Sequence, residues 1–343
     1  MTSPFSALGV TNPVLAAPMA GGPSTPEFVM AAGRSGSLGF VAAGYKDAEL
    51  LRAQIATVAA AGIPFGVNLF APNPVPISED AYRAYARLLQ PEADAYGIDL
   101  AAIGLREDDD QWSEKIALLI EHPVPVVSFT FGIPPAEVIA ALRRAGTVTV
   151  QTVTSGAEAR QAADAGVDML AVQASAAGGH SGTLTPSTVP SVIPLPTLVR
   201  QVAGAVPLPV IGAGGIATTT DVAAALRAGA TAVAVGTVLL RADESGASAA
   251  HRAALADPAF DSTVVTRAFT GRPARGLRNA FTDRYTDGAP EGYPAIHYLT
   301  SPLRRAAAAA SDPQRLHLWA GTGHAAATAE PLDRILTRLA SNT

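Results

Sequence analysis

Short apolar runs alternate along the chain with longer, Ala-rich stretches of mixed polarity. Eight of the runs read as strands: residues 14–17, 38–42, 65–69, 124–131, 147–151, 169–173, 208–212 and 231–236. None alternates apolar with polar, as a strand with one wet face would. A continuous apolar or β-branched run belongs to a strand covered on both faces, which predicts a parallel sheet wrapped by helices. The dipeptide Ala-Gly precedes several of these runs, at 61–62, 145–146, 165–166 and 228–229. A glycine just past a helix takes the left-handed conformation that ends it. The next strand then finishes at Asn68, Gln173 and Gly236 in three of the repeats, which delivers one residue each to the same rim of the sheet. Ala-Gly is also simply frequent in an Ala-rich chain, so the repeat rests on its constant distance to the next strand. The pattern predicts an α/β fold, a (β/α)8 TIM barrel, with its chemistry at the C-terminal ends of the strands.

The pattern changes after the eighth strand. Residues 241–319 hold helix-like segments broken at Asp257-Pro258, Gly271-Arg272-Pro273, Gly292-Tyr293-Pro294 and Ser301-Pro302. They predict a smaller helical appendage that contributes to the substrate pocket. In the final run, Leu332, Ile335, Leu336 and Leu339 share one helical face, which predicts a last helix returning to the barrel. The expected division is a barrel over 1–240, the appendage over 241–319 and the returning helix within 320–343.

Composition narrows the function. The chain has 343 residues, 48% hydrophobic and 15% charged, enough for a large core. Its net charge of −5 offers no basic field for a nucleic-acid backbone. Cysteine is absent, which excludes thiol nucleophiles, Cys-ligated zinc and iron–sulfur clusters. Lys46 and Lys115 are the two lysines, and neither sits in a Schiff-base or P-loop context. The stretch from Met1 to Gly9 has no basic or apolar signal region, and the uncharged stretch 169–199 is broken by Pro, Gly and Ser. The expectation is a soluble, cytoplasmic protein with neither membrane nor nucleic-acid partner. Its oligomeric state is not readable.

Three features carry candidate chemistry. The first is Val210-Ile211-Gly212-Ala213-Gly214-Gly215-Ile216, followed by Val233-Ala234-Val235-Gly236-Thr237. Two adjacent strands that end in glycine turns let main-chain N–H groups approach an anion, the arrangement of the barrel phosphate site. The plainer alternative is that these glycines only turn the chain. The second is the loop Gly178-Gly179-His180, which presents an imidazole at the active rim, suited to moving a proton near neutral pH or merely to capping a carbonyl. The third is Ala17-Pro18-Met19 after the first strand, with the amides Asn68 and Gln173. Small residues leave room for a flat ring, and amides match the mixed donor and acceptor edge of a heterocycle. His251 reads as exposed on an Ala-rich helix, His297-Tyr298 as a wall of the pocket, and His317 and His324 as packing residues. Arg267, Arg272, Arg275 and Arg278 read as a solvated or salt-bridged helical surface. No metal-type carboxylate cluster appears.

These motifs resemble class I nitronate monooxygenases, nearly end to end. The resemblance rests on Ala17-Pro18-Met19-Ala20-Gly21-Gly22, Val67-Asn68-Leu69-Phe70, Gly178-Gly179-His180 and Gly212-Ala213-Gly214-Gly215-Ile216. It extends through Phe269-Thr270-Gly271-Arg272-Pro273, Tyr293-Pro294, Leu299-Thr300-Ser301-Pro302-Leu303-Arg304 and Leu318-Trp319-Ala320-Gly321. It implies an FMN enzyme that oxidises alkyl nitronates with O2 to a carbonyl compound and nitrite. By motif, the FMN contacts implied are Asn68, Gln173, Gly178, Gly215, Ala234, Val235, Gly236 and Thr237, and His180 matches the base toward neutral nitroalkanes. The residue reading adds Ala17, Pro18, Met19, Gly179 and Gly214 to the cofactor set, and Thr130 and Tyr298 to the substrate pocket. Thr130 stands where the family often has histidine, and Ala174, Ala176 and Ala234 also depart from its pattern. Two rival readings remain: an FMN-dependent NAD(P)H reductase of a quinone or enoyl thioester on the same barrel, and a non-catalytic barrel that binds a phosphate ligand.

Overall fold

A computed structural model describes residues 4–341; the first three residues of the N-terminal stretch read above lie outside it. Eleven strands occur in the described chain: β1 (Val14–Ala16), β2 (Gly39–Ala42), β3 (Phe65–Ala71), β4 (Val126–Phe131), β5 (Val148–Val153), β6 (Met169–Gln173), β7 (Gly179–His180), β8 (Val210–Ala213), β9 (Ala232–Val235), β10 (Thr263–Thr266) and β11 (Ala274–Leu277). Eight form one parallel sheet in the order β1-β9-β8-β6-β5-β4-β3-β2. The Ala16 N–H donates to the Leu38 carbonyl at 3.0 Å and draws the two ends together, so the sheet is a nearly closed (β/α)8 barrel.

All eight anticipated strands form, β6 with the ends expected and the other seven with shifted ends. β4 and β8 start just after Pro125 and Pro209, because proline has no N–H for the ladder. Along each strand, successive side chains go alternately in and out. Leu15, Phe40, Val126, Val150, Met169 and Ile211 fill the barrel interior with Phe5. Val14, Val41, Val67, Leu69, Val127, Phe129, Leu170 and Val233 pack outward beneath the helices. Both sets are mainly apolar, which is why most runs show no alternation; β5 is the exception, with buried Thr149 and Gln151 flanking the inward Val150. The four glycines of the Ala-Gly repeat, at 62, 146, 166 and 229, all have left-handed φ.

Side chains cap the outer helices. Thr25 accepts from the Phe28 N–H before Pro26–Arg34, Asp47 from Leu50 before Ala48–Ala59, and Thr218 forms a reciprocal box with Asp221 before Thr219–Arg227. The last helix, Leu332–Ala340, packs against Pro26–Arg34, Thr219–Arg227 and β1, and so fills the remaining gap in the ring.

The region after β9 differs from the helical reading. It contains the helices Ala249–Ala254, Ala280–Tyr285 and Ala295–Ala309, but also an antiparallel hairpin of β10 and β11. β11 pairs on its other side with β7, so His180 lies in a short strand rather than a free glycine loop. The β-branched run Thr263-Val264-Val265-Thr266 was the available signal for β10. The arginine stretch is likewise not a solvated helix: Arg272 is 0% exposed, and Arg275 belongs to β11 and donates to the Ser175 carbonyl at 2.7 Å. A further insertion between β3 and β4, with the helix Glu79–Asp94, shares its core with the appendage. There Tyr82, Tyr85 and Leu89 cluster with Phe269, Phe281, Ile296 and Leu299.

Candidate active site

A cavity of about 570 Å³ opens at the C-terminal rim of the barrel. That is within the range of small-molecule and cofactor sites, roughly 300–1,000 Å³. Inward residues of the strands form its floor: Leu15, Phe40, Val150, Ala171 and Ile211. One layer higher stand Asn68, Ser128, Thr130, Thr152 and Gln173, and the appendage supplies the roof.

One wall is a main-chain cradle. Gly178, Gly214, Gly215, Gly236 and Thr237 all line the cavity. Among the described residues, none of their five N–H groups finds an acceptor in the protein. A Cβ on Gly178 would meet the Gly321 nitrogen at 2.5 Å, and one on Gly214, where φ is +107°, would meet the Ala174 carbonyl at 2.8 Å. Only glycine permits this close approach of strands to loop. The Thr237 hydroxyl accepts from Gly321 N–H at 2.9 Å and ties the last turn to the Gly321–Gly323 loop. Free N–H groups at strand-to-helix turns are the donor set that holds a phosphate, so these residues fit the anionic tail of a flavin mononucleotide. Ala17, Pro18, Met19, Ala234 and Val235 line the adjoining wall, as does Gly179.

The two amides behave differently from each other. The Asn68 amide donates to Ser128 Oγ at 2.9 Å and Thr130 Oγ1 at 3.1 Å, which leaves its carbonyl oxygen as the free end. Gln173 is engaged at both ends: Nε2 donates to the His180 carbonyl at 3.0 Å, and Oε1 accepts from Gly182 N–H at 2.7 Å. It therefore clamps the segment that carries His180.

His180 sits among Phe131, Tyr293 and Trp319, with ring centroids 5.7, 5.6 and 5.5 Å away. The Thr270 hydroxyl donates to the Arg272 carbonyl at 3.3 Å and lies 2.9 Å from His180 Nε2, so it accepts the Nε2 proton and leaves Nδ1 with a free lone pair. Burial, then the guanidinium groups of Arg272 and Arg304, hold the His180 pKa down to about 3. The imidazole is neutral throughout the physiological range. Phe131, at φ +84°, lies under the Arg272 guanidinium, whose carbon is 4.0 Å from the ring centroid. Left-handed backbone in a bulky residue costs about 1–3 kcal/mol and needs surrounding contacts to persist.

Two buried arginines set the charge at the cavity, Arg304 in its wall and Arg272 behind Phe131. Arg272 donates to the carbonyls of Ser181 and Thr183 at 3.3 and 2.5 Å. Arg304, 6% exposed, lines the cavity and donates to Thr300, His297 and His317. Burial lowers both pKa values to about 10, so both remain charged at neutral pH. Among the described residues, no carboxylate lies within 4 Å of either.

Thr130 lines the cavity as anticipated, but Tyr298 does not. Its hydroxyl donates to Asp108 at 2.7 Å and Arg106 stacks on its ring, so the outer surface claims it while His297, one residue back on the helix, faces inward. His251 lines the cavity instead of facing solvent: Nε2 is buried without a partner, and burial lowers its pKa to about 4. His317 also belongs to the cavity wall. Sequence reasoning also gave no role to Tyr45, Phe70, Thr270 and Arg304. Only Arg304 had a legible signal, an arginine four residues after Thr300 and seven after His297, hence on their helical face.

An eight-stranded barrel with this cradle is a cofactor-binding barrel enzyme in its architecture. Comparison with known proteins makes that specific. The family model described as nitronate monooxygenase matches residues 2–341. A probable nitronate monooxygenase of Staphylococcus saprophyticus is 37% identical over 92% of this chain and 89% of its own length. One from Staphylococcus aureus is 34% identical over 97% and 94%. The solved nitroalkane oxidase of Streptomyces ansochromogenes is 45% identical with a TM-score of 0.93, covering 99% of this chain and 97% of that one. FabK from Thermotoga maritima is 27% identical with a TM-score of 0.75, covering 98% and 93%. The chain belongs to the nitronate monooxygenase family, as its motifs implied. It is an oxidoreductase of a flavin-dependent family that acts on small nitro compounds.

Proposed function

We propose that this protein binds FMN and uses O2 to oxidise alkyl nitronates to a carbonyl compound and nitrite. The observation that carries the reading is the pairing of an unsatisfied N–H cradle with a cavity wall holding the buried Arg304, which among the described residues has no carboxylate within 4 Å. An anionic cofactor tail and an anionic substrate are what such a cavity accepts at least cost. Gly178, Gly214, Gly215 and the Ala234–Thr237 turn would hold the FMN phosphate, and Ala17, Pro18, Met19 and Asn68 would flank its ring. Bound FMN supplies a two-electron acceptor that O2 can reoxidise.

The chain's own residues do the rest. Tyr45, Phe70, Phe131 and Trp319 line the cavity and exclude water around an alkyl group. The arginine charges favour a nitronate over its neutral acid. A nitronate arrives ionised and needs no base. A neutral nitroalkane must lose a proton, and the unprotonated Nδ1 of His180 would take it, although the low basicity of this imidazole makes that the slower route. In this reading, residues 1–240 hold the cofactor, 241–319 complete the substrate pocket and 320–343 close the ring.

The reductase reading has a foothold in the likeness to FabK. One experiment separates the readings. The purified protein should show a flavin spectrum that bleaches on anaerobic addition of a nitronate, with nitrite released once air is admitted. Bleaching by NADH and not by nitronate would favour the reductase, and a colourless protein that takes up no FMN would overturn both.

A further inference from the structure

Arg304 makes four donations from five N–H groups. Nε donates to Thr300 Oγ1 at 3.1 Å, one Nη to His317 Nε2 at 3.3 Å, and the other to His297 Nδ1 at 3.3 Å and the His297 carbonyl at 2.8 Å. A guanidinium has no lone pair. Each imidazole nitrogen that meets it must therefore be the acceptor, and each proton must sit on the opposite nitrogen. Arg304 thus fixes two tautomers at once: Nε2–H on His297 and Nδ1–H on His317. His297 is also held by a parallel stack on Tyr45, with centroids 4.2 Å apart and planes at 2°. His317 Nδ1 is buried with no acceptor in the protein. All three residues line the cavity, and no carboxylate answers the charge. These three side chains offer N–H groups and a positive charge, and the imidazole lone pairs among them are already taken by Arg304.

We infer that Arg304, His297 and His317 form an oxyanion subsite that takes the two-oxygen end of the substrate and, after turnover, nitrite. The inference rests on the nitronate reading for its substrate but not for its anion. An O–N–O group is planar and singly charged, and its oxygens are acceptors only. A wall with donors only recognises it and rejects groups that must donate. Arg304 is then both a contact and a positioning residue, because it dictates which face of each imidazole the ligand meets.

The test is calorimetric titration of the purified flavoprotein with sodium nitrite, using sodium chloride as control, beside KM and kcat for a nitronate. Arg304→Met should weaken nitrite binding and raise KM by at least about tenfold, with a smaller change in kcat. Arg304→Lys should recover part of the nitrite affinity, since it restores the charge but not the two locked tautomers. His297→Phe keeps the stack on Tyr45 and removes one donor, and should weaken nitrite by roughly threefold or more. An Arg304→Met protein with wild-type circular dichroism and flavin content that binds nitrite like the parent overturns the subsite. If that variant does not fold, an unchanged nitrite affinity in His297→Phe overturns it equally. Arg304-dependent nitrite binding in a protein that does not oxidise nitronates supports the subsite while the proposed activity fails.

Discussion

His180 concentrates the argument at the scale of single residues. Its type and place after β6 were legible, because a glycine turn leaving a barrel strand brings its residues to the active rim. Its electrostatics were not. The two guanidinium groups that depress its pKa come from residues 92 and 124 positions further along the chain, and only the fold brings them near. The same holds for His317, which reaches Arg304 from a later loop, whereas the pairing of Arg304 with His297 is readable from their spacing on one helix. The consequence for catalysis can be measured. His180→Asn keeps a donor for Thr270 and removes the base. Turnover of neutral nitroalkanes should fall by about 10² or more, the usual contribution of a positioned base, whereas preformed nitronates should lose far less. Equal losses for both substrates would refute the base role.

At the scale of elements, the barrel strands were readable because burial on both faces leaves a pattern that few other structures share. β7, β10 and β11 were not. Gly179 and His180 have no strand signature of their own, and they extend only because β11 lies alongside. Gln173 shows how the two layers are joined. It was read as a cofactor contact, yet its amide spans the end of β6 and the main chain of His180 and Gly182. Gln173→Leu would leave the Gly182 N–H and the His180 carbonyl unpaired, at about 1–3 kcal/mol for a buried group. We expect faster amide hydrogen exchange across 179–182 and a lower kcat with the barrel strands unaffected. Unchanged exchange in that segment would show that β11 alone holds it.

At the scale of the whole molecule, the appendage closes over the barrel mouth and gathers four half-buried imidazoles around one cavity, beside two buried arginines that have no salt-bridge partner among the described residues. Burial lowers the pKa of His180 to about 3 and that of His251 to about 4, and lowers those of His297 and His317 well below the usual 6.5. The unfolded chain therefore binds more protons than the folded one once the pH drops beneath about 6.5. The stability these neutral imidazoles contribute is fully present above that pH and is lost as the pH falls toward the folded values. Each site adds up to about 1.4 kcal/mol per pH unit, so four together add at most about 5.5. Most carboxylates stay ionised above pH 5, so between pH 7 and 5 the histidines dominate the slope. The melting temperature of the flavoprotein should fall steadily across that interval. His251→Leu removes one titrating group without touching His180 or the cradle, and should flatten the slope by about one quarter. A melting temperature independent of pH from 7 to 5 would mean that the cavity histidines are already solvated, and that the cavity is wetter than its walls imply.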